Sequence, residues 1–356
     1  MCGMIAAVGY TAANCCLRAA VNCDPVWVSC VKAIPTAVFT GVPIAAGLMA
    51  GQRVLPDKHV LKTLVLAALL GQLGGNVLFQ YSLGVVGIGL AVPLCMGMII
   101  IASAVLARLY LHESVTVGAL VSMIALVAAI WVLSLGADAA YLSVVKQAPR
   151  GWLLAGGVIA ACFSGFAYAV LGVAIRYGVT GKASITATTF VVCFVGVVSL
   201  GLVSCQRLGY AGILGTHPRD WLSMLAAGLF NFVAFIALAR ALQVATVIYV
   251  NGVNASQVAM AAVAGVVLFR ESPSWALVMG VVLTIAGVML MPRHRQLPRT
   301  VNYLPQVPAS ECAVQKPRNL SSNAAKSWSS VSENAAKASA VSDTSATSVP
   351  TNEGSG

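Results

Sequence analysis

Side chains with hydrogen-bonding chemistry are scarce in the apolar stretches of this chain, so the places where they recur carry information. Gln72, Asn76 and Gln80 recur every four residues, a spacing that puts them on one face of a helix. Asn251, Asn254 and Gln257 recur every three, with Tyr249 just before them. Each amide offers both donors and an acceptor. Either set can line a cavity and bind a polar solute that is uncharged or zwitterionic. The competing role is to tie neighbouring helices together, worth only ~0.6 kcal/mol per contact. Asn14 and Asn231 are single amides suited to packing, and Asn14 is also a candidate for the cavity. Tyr10 and Tyr168 are candidates to face the same cavity, with interface anchoring as the alternative. Arg18 and Arg176 stand near segment ends, and Lys32 and Arg240 a turn or two inside theirs. Snorkelling to headgroups accounts for all four; the sharper role, for Arg18 and Arg176, is a gate or an anion-attracting mouth. Pro93, close to Gly97, softens its helix and is a candidate bending point.

Catalytic chemistry finds little support. The histidines, at 59, 112, 217 and 294, lie in loops or at segment ends, so none is placed as a buried base for a nucleophile such as Ser164. The acids of residues 1–292 are Asp24, Asp57, Glu113, Asp138, Asp220 and Glu271, all near segment ends. No deep carboxylate relay of the kind used by proton pumps is visible. There is no GxxxxGK[ST] phosphate loop. The cysteines show no CxxC and no Cys/His ligand spacing, and read as small packing residues. No catalytic residue, metal or cofactor is expected. Glu113-Ser114 and Glu271-Ser272 read as structural turns in which the serine caps the next helix.

The elements that must position these residues follow from composition. The chain is 59% apolar and 9% charged, against about 25% charged in soluble domains. So little charge cannot cover a water-soluble fold of this length, whereas lipid-facing helices need almost none. The net charge of +11 is spread singly between apolar runs, which speaks for membrane topology and against nucleic acid. Spans of roughly 20 apolar residues are predicted at 2–21, 26–50, 60–82, 85–108, 115–136, 151–174, 184–205, 221–243, 245–268 and 273–292. Trp27, Trp152, Trp221 and Trp275 fall at segment starts and Trp131 near an end, as interface anchors do. With the N-terminus inside, the inner side collects ten basic residues and the outer side seven, so both termini are expected in the cytoplasm. Residues 293–356, rich in Ser, Ala, Asn and Thr, are expected to be a disordered cytoplasmic tail.

The two halves match at one fixed shift of 158 residues: Glu113 with Glu271, Tyr10 with Tyr168, Arg18 with Arg176. Five spans per half is an odd number, so the second copy enters from the opposite side. The fold expected is an all-α membrane protein of about ten transmembrane helices in two inverted five-helix repeats, 1–136 and 151–292. Inverted pairs of this kind are typical of secondary transporters, with a site near the midplane at the repeat seam. The stretches GLAVPLCMGMIIIASAVLARLYLHESVTVGALVSMIALVAAIWVL (89–133) and NGVNASQVAMAAVAGVVLFRESPSWALVMGVVLTIAGVML (251–290) resemble the drug/metabolite transporter superfamily, EamA type. The resemblance covers residues 3–292. It implies a permease or exporter that moves small metabolites or drugs across the inner (plasma) membrane by alternating access. A channel or a non-transporting membrane partner is the alternative, ahead of an intramembrane enzyme. The partners expected are a small-molecule substrate and the lipid bilayer, with homodimer formation open and nucleic acid excluded.

Overall fold

In a bilayer every backbone N–H and C=O must be satisfied internally, which makes helices the solution for long apolar runs. The computed structural model describes residues 1–113, 115–135, 151–269 and 275–290, all within one compact unit, Met1–Thr300. Among these residues every regular element is a helix. They are α1 (Cys2–Ala19), α2 (Pro25–Met49), α3 (Lys58–Val86), α4 (Ile88–Tyr110), α5 (Val117–Leu135), α6 (Gly151–Val179), α7 (Ile185–Leu214), α8 (Pro218–Val244), α9 (Val247–Asn254), α10 (Ser256–Phe269) and α11 (Trp275–Leu290). The tail beyond 290, and Ser114, Glu271 and Ser272, lie outside the described residues.

Among the described residues, seven stretches are long and apolar enough to cross a membrane: α2, α3, α4, α6, α7, α8, and α9 continuing into α10. The chain is therefore a multi-pass membrane protein. That count is lower than the ten segments expected from sequence. α5 and α11 are short in their apolar parts, at Val117–Val132 and Val278–Leu290, and α1 carries Asn14 and Arg18 within 18 residues.

The distribution of side chains is that of a protein whose solvent is lipid. Large apolar groups such as Phe39, Val42, Phe194, Leu202, Phe230 and Val233 face outward. Lys32, Gln72, Gln80, Arg176, Asn251, Asn254 and Gln257 face inward. In water this arrangement would aggregate. Polar groups are costly against lipid and turn to the bundle interior.

Short capped links join the helices. The Asp24 carboxylate accepts the Val26 and Trp27 amides at 2.9 and 3.2 Å, with Pro25 opening α2. Ser184 caps α7 through Ala187 N–H at 3.0 Å. Thr116 caps α5 through Ala119 N–H at 3.2 Å. Trp27 and Trp221 pack edge to face at 5.3 Å, so Trp27 is buried at the end of α2 and does not face lipid.

α1 packs on α8 and, more lightly, on α9 and α10; α3 and α4 pack on α6; α2 packs on α7 and α8; α3 also meets α7; and α5 pairs with α11. Glycines allow the closest of these approaches. A Cβ on Gly165 of α6 would sit 2.3 Å from the Cys95 carbonyl oxygen of α4. Gly71 and Gly75 of α3 lie against Leu171 and Tyr168 of α6, an interhelical contact. Gly47 and Gly51 share the same spacing and do something else. Gly47 lies against Val54 of its own loop, and Gly51, at φ 71°, turns the chain.

Candidate functional site

Two helix irregularities bring the amides together. The middle of α3, Leu70–Val77, is a π-helical segment, and it carries Gln72 and Asn76. The second is the break at Ala255 between α9 and α10, which falls between Asn254 and Gln257. Wide turns and broken helices free backbone groups and aim side chains away from the regular helical stripe.

Between them lies a cavity of about 140 Å³, on the order of ten times what one buried water needs. Its wall includes Tyr10, Asn14, Gln72, Asn76, Tyr168, Asn251, Asn254 and Gln257, eight of the residues singled out from sequence. Both halves of the chain contribute.

Hydrogen bonds organise one side of the wall into a chain. Gln72 Nε2 donates to the Val192 carbonyl at 3.1 Å. Asn76 Nδ2 donates to Gln72 Oε1. Asn76 Oδ1 then accepts twice, from the Tyr168 hydroxyl at 2.6 Å and from Lys32 Nζ at 2.5 Å. Gly196 makes room for this arrangement, since a Cβ there would lie 2.6 Å from Gln72 Cδ. On the other side, Asn14 Nδ2 donates to Gln257 Oε1 at 3.5 Å, and Gln257 Nε2 reaches Met96 Sδ at 3.0 Å. Asn254 Oδ1 is buried and has no hydrogen-bond partner among the described residues.

Gln80, Tyr249, Pro93, Arg18 and Arg176 are not among the lining residues. The π segment alters the phase of α3, so the four-residue spacing does not carry Gln80 into the cavity; its amide donates to the Leu17 carbonyl at 3.5 Å. Tyr249 precedes the break and packs against the two apolar cores. Pro93 is buried inside α4, whose lining residues are its neighbours Val92, Cys95, Met96 and Ile99. Arg18 ends α1.

Arg176 corrects the snorkelling expectation. It is buried, donates to the Leu242 carbonyl at the end of α8, and lies 3.4 Å from Glu113 Oε1. The other carboxylate oxygen accepts the Val247 N–H of α9 at 3.0 Å. One ion pair thus ties the ends of α4, α6 and α8 to the start of α9. Burial pushes the Glu113 carboxyl above its ordinary pKa, while Arg176 and the Val247 amide pull it back.

Lys32 is the larger departure. It is 7% exposed and belongs to the wall. Asn231, Cys95 and Cys193 belong there as well, although sequence assigned them to packing. The signal available was the depth of Lys32, eight residues into an apolar span. At ~1.5 Å per residue the ammonium starts about 10 Å inside.

Residues 155–292 match the EamA-like transporter family. The family is part of the drug/metabolite transporter superfamily, a family of membrane transporters of small molecules. No curated protein sequence matches the chain. A solved structure, titled only as the crystal structure of a protein, aligns with a TM-score of 0.62 over 81% of this chain and 94% of its own, at 15% identity. Likeness at that identity speaks for the fold alone. The matched segment supplies Tyr168, Asn251, Asn254 and Gln257 to the cavity, and the region before it supplies Lys32, Gln72 and Asn76.

Proposed function

We propose that this protein is a secondary transporter that moves a small polar solute across the inner membrane. Alternating access of two inverted five-helix repeats, 1–136 and 151–292, is the mechanism. The observation that carries the reading is a cavity at the seam of the two halves, lined mainly by apolar side chains, into which both halves set amides.

The packing pattern supports the repeat. Exchange α1 with α6, α2 with α7, α3 with α8, α4 with α9 and α10, and α5 with α11. The α1–α8 contact becomes α6–α3, α2–α8 becomes α7–α3, and α4–α6 becomes the contact of α1 with α9 and α10; all are present. The α2–α7 and α5–α11 pairs map onto themselves. Two halves in equivalent environments have inward-open and outward-open forms of similar energy, which is what a rocking carrier needs. The ten helices, both termini in the cytoplasm and the cytoplasmic tail 293–356 belong to the same reading. A homodimer is compatible with it and not required, because the cavity forms within one chain.

Reconstituted vesicles loaded with a metabolite panel test it. Saturable counterflow of one solute is the expected result, reduced about tenfold or more by Asn254→Ala, which removes a buried acceptor facing the solute. Flux that never saturates would mean a channel. Absence of any counterflow across the panel would sink the carrier reading.

A further inference from the structure

The cavity holds one charged side chain among its lining residues, Lys32. Its only hydrogen-bond acceptor among the described residues is Asn76 Oδ1, a neutral group already shared with the Tyr168 hydroxyl. The ammonium has three donors, so its capacity is far from used. The wall includes no carboxylate among the described residues. A structural lysine in a membrane bundle pairs with an acid or reaches the headgroups; at 7% exposure and hydrogen-bonded to Asn76, this one does neither. The amide chain from Val192 through Gln72 and Asn76 fixes the oxygen that holds Nζ in place. Asn254 Oδ1, on the same wall, is a buried acceptor without a donor.

Building on the transporter reading above, we infer that the solute is a small organic carboxylate. Its anionic end is held by Lys32, and a hydroxyl or amino group elsewhere on it donates to Asn254. The carboxylate supplies the charge that Lys32 lacks among its neighbours. The donor supplies the hydrogen bond that Asn254 lacks. A neutral solute would leave a buried cation uncompensated, and a cationic one would be repelled.

Matched probes separate charge from size: lactate with lactamide, and 3-phenyllactate with its amide, each beside the acid lacking the hydroxyl. Thermal unfolding of the purified protein reads their binding. The acids should bind at least ~10-fold more tightly than their amides, the typical effect of one charge-assisted hydrogen bond. Lys32→Met should abolish that preference. Asn76→Asp, which places a carboxylate beside Lys32, should abolish it too. Asn254→Ala should erase the preference for the hydroxy acid over the plain acid. Lys32→Met removes a buried charge and keeps a similar volume, so its unfolding temperature without solute should stay near wild type; Lys32→Arg, which keeps the charge, should retain the acid preference if Lys32→Met does not fold. Equal binding of acids and amides overturns this inference and leaves the carrier standing. Acid preference that survives Lys32→Met and Asn76→Asp overturns it too. If none of the probes stabilises the protein, the carboxylate inference fails, and the counterflow panel decides the carrier reading separately.

Discussion

At the scale of single residues, burial decides what a charge does. Lys32, Arg176 and Arg240 look alike in sequence, each a basic residue within or near the end of an apolar segment. Arg240 is exposed and bonds Gln243 three residues on, a surface contact of little energetic weight. Arg176 is sealed against Glu113, with side chains 5% and 3% exposed. Lys32 is sealed against the cavity amides. Glu113→Ala should therefore cost about 3–5 kcal/mol, because it strands Arg176 as a buried charge and orphans the Val247 amide. Glu113→Gln keeps an acceptor for Val247 and should cost less. The unfolding midpoint in detergent orders the two variants, and midpoints equal to wild type would mean that the pair holds nothing.

At the scale of elements, the helices that meet most closely are those whose sequences put glycine at the contact. Gly165 admits the Cys95 carbonyl, and Gly172, about two turns further along α6, has nothing within 4 Å of where its Cβ would be. Gly165→Ala should destabilise by about 1–3 kcal/mol through overpacking against backbone that cannot move aside cheaply. Gly172→Ala should be neutral or slightly stabilising, since alanine favours the helix over glycine by ~1 kcal/mol. Thermal unfolding of the pair checks both signs at once. The π segment of α3 and the break after α9 belong to this scale as well. Residue spacing located the amides on these helices, but a periodicity argument assumes an unbroken helix. It therefore placed Gln80 with Gln72 and Asn76, and the wider turn separated them.

At the scale of the whole molecule, the inverted arrangement proposed above dictates which loops share a side. In that proposal the α2–α3 link and the α7–α8 link are equivalent, and inversion puts them on opposite faces of the membrane. In a cysteine-free background, Gln52→Cys and Arg219→Cys, both exposed positions, should label with an impermeant maleimide from opposite sides. Labelling from the same side would rule out inversion.

Composition alone determined that this chain lives in lipid, because so few charges cannot clothe a soluble surface. The apolar runs located its helices, and the polar exceptions within them included most of the polar residues of the cavity wall, since a buried amide in a bilayer needs a reason to be there. The fixed shift between the halves pointed to pairs such as Tyr10 and Tyr168, and both reach the cavity. What sequence could not decide was direction. Whether Lys32 climbs to the headgroups or turns inward depends on which helices close around it, and Asn76 sits 44 residues away. The Glu113–Arg176 pair likewise joins groups from different halves. Contacts of that range exist only once the bundle has packed, and there the low dielectric strengthens what a single charge does.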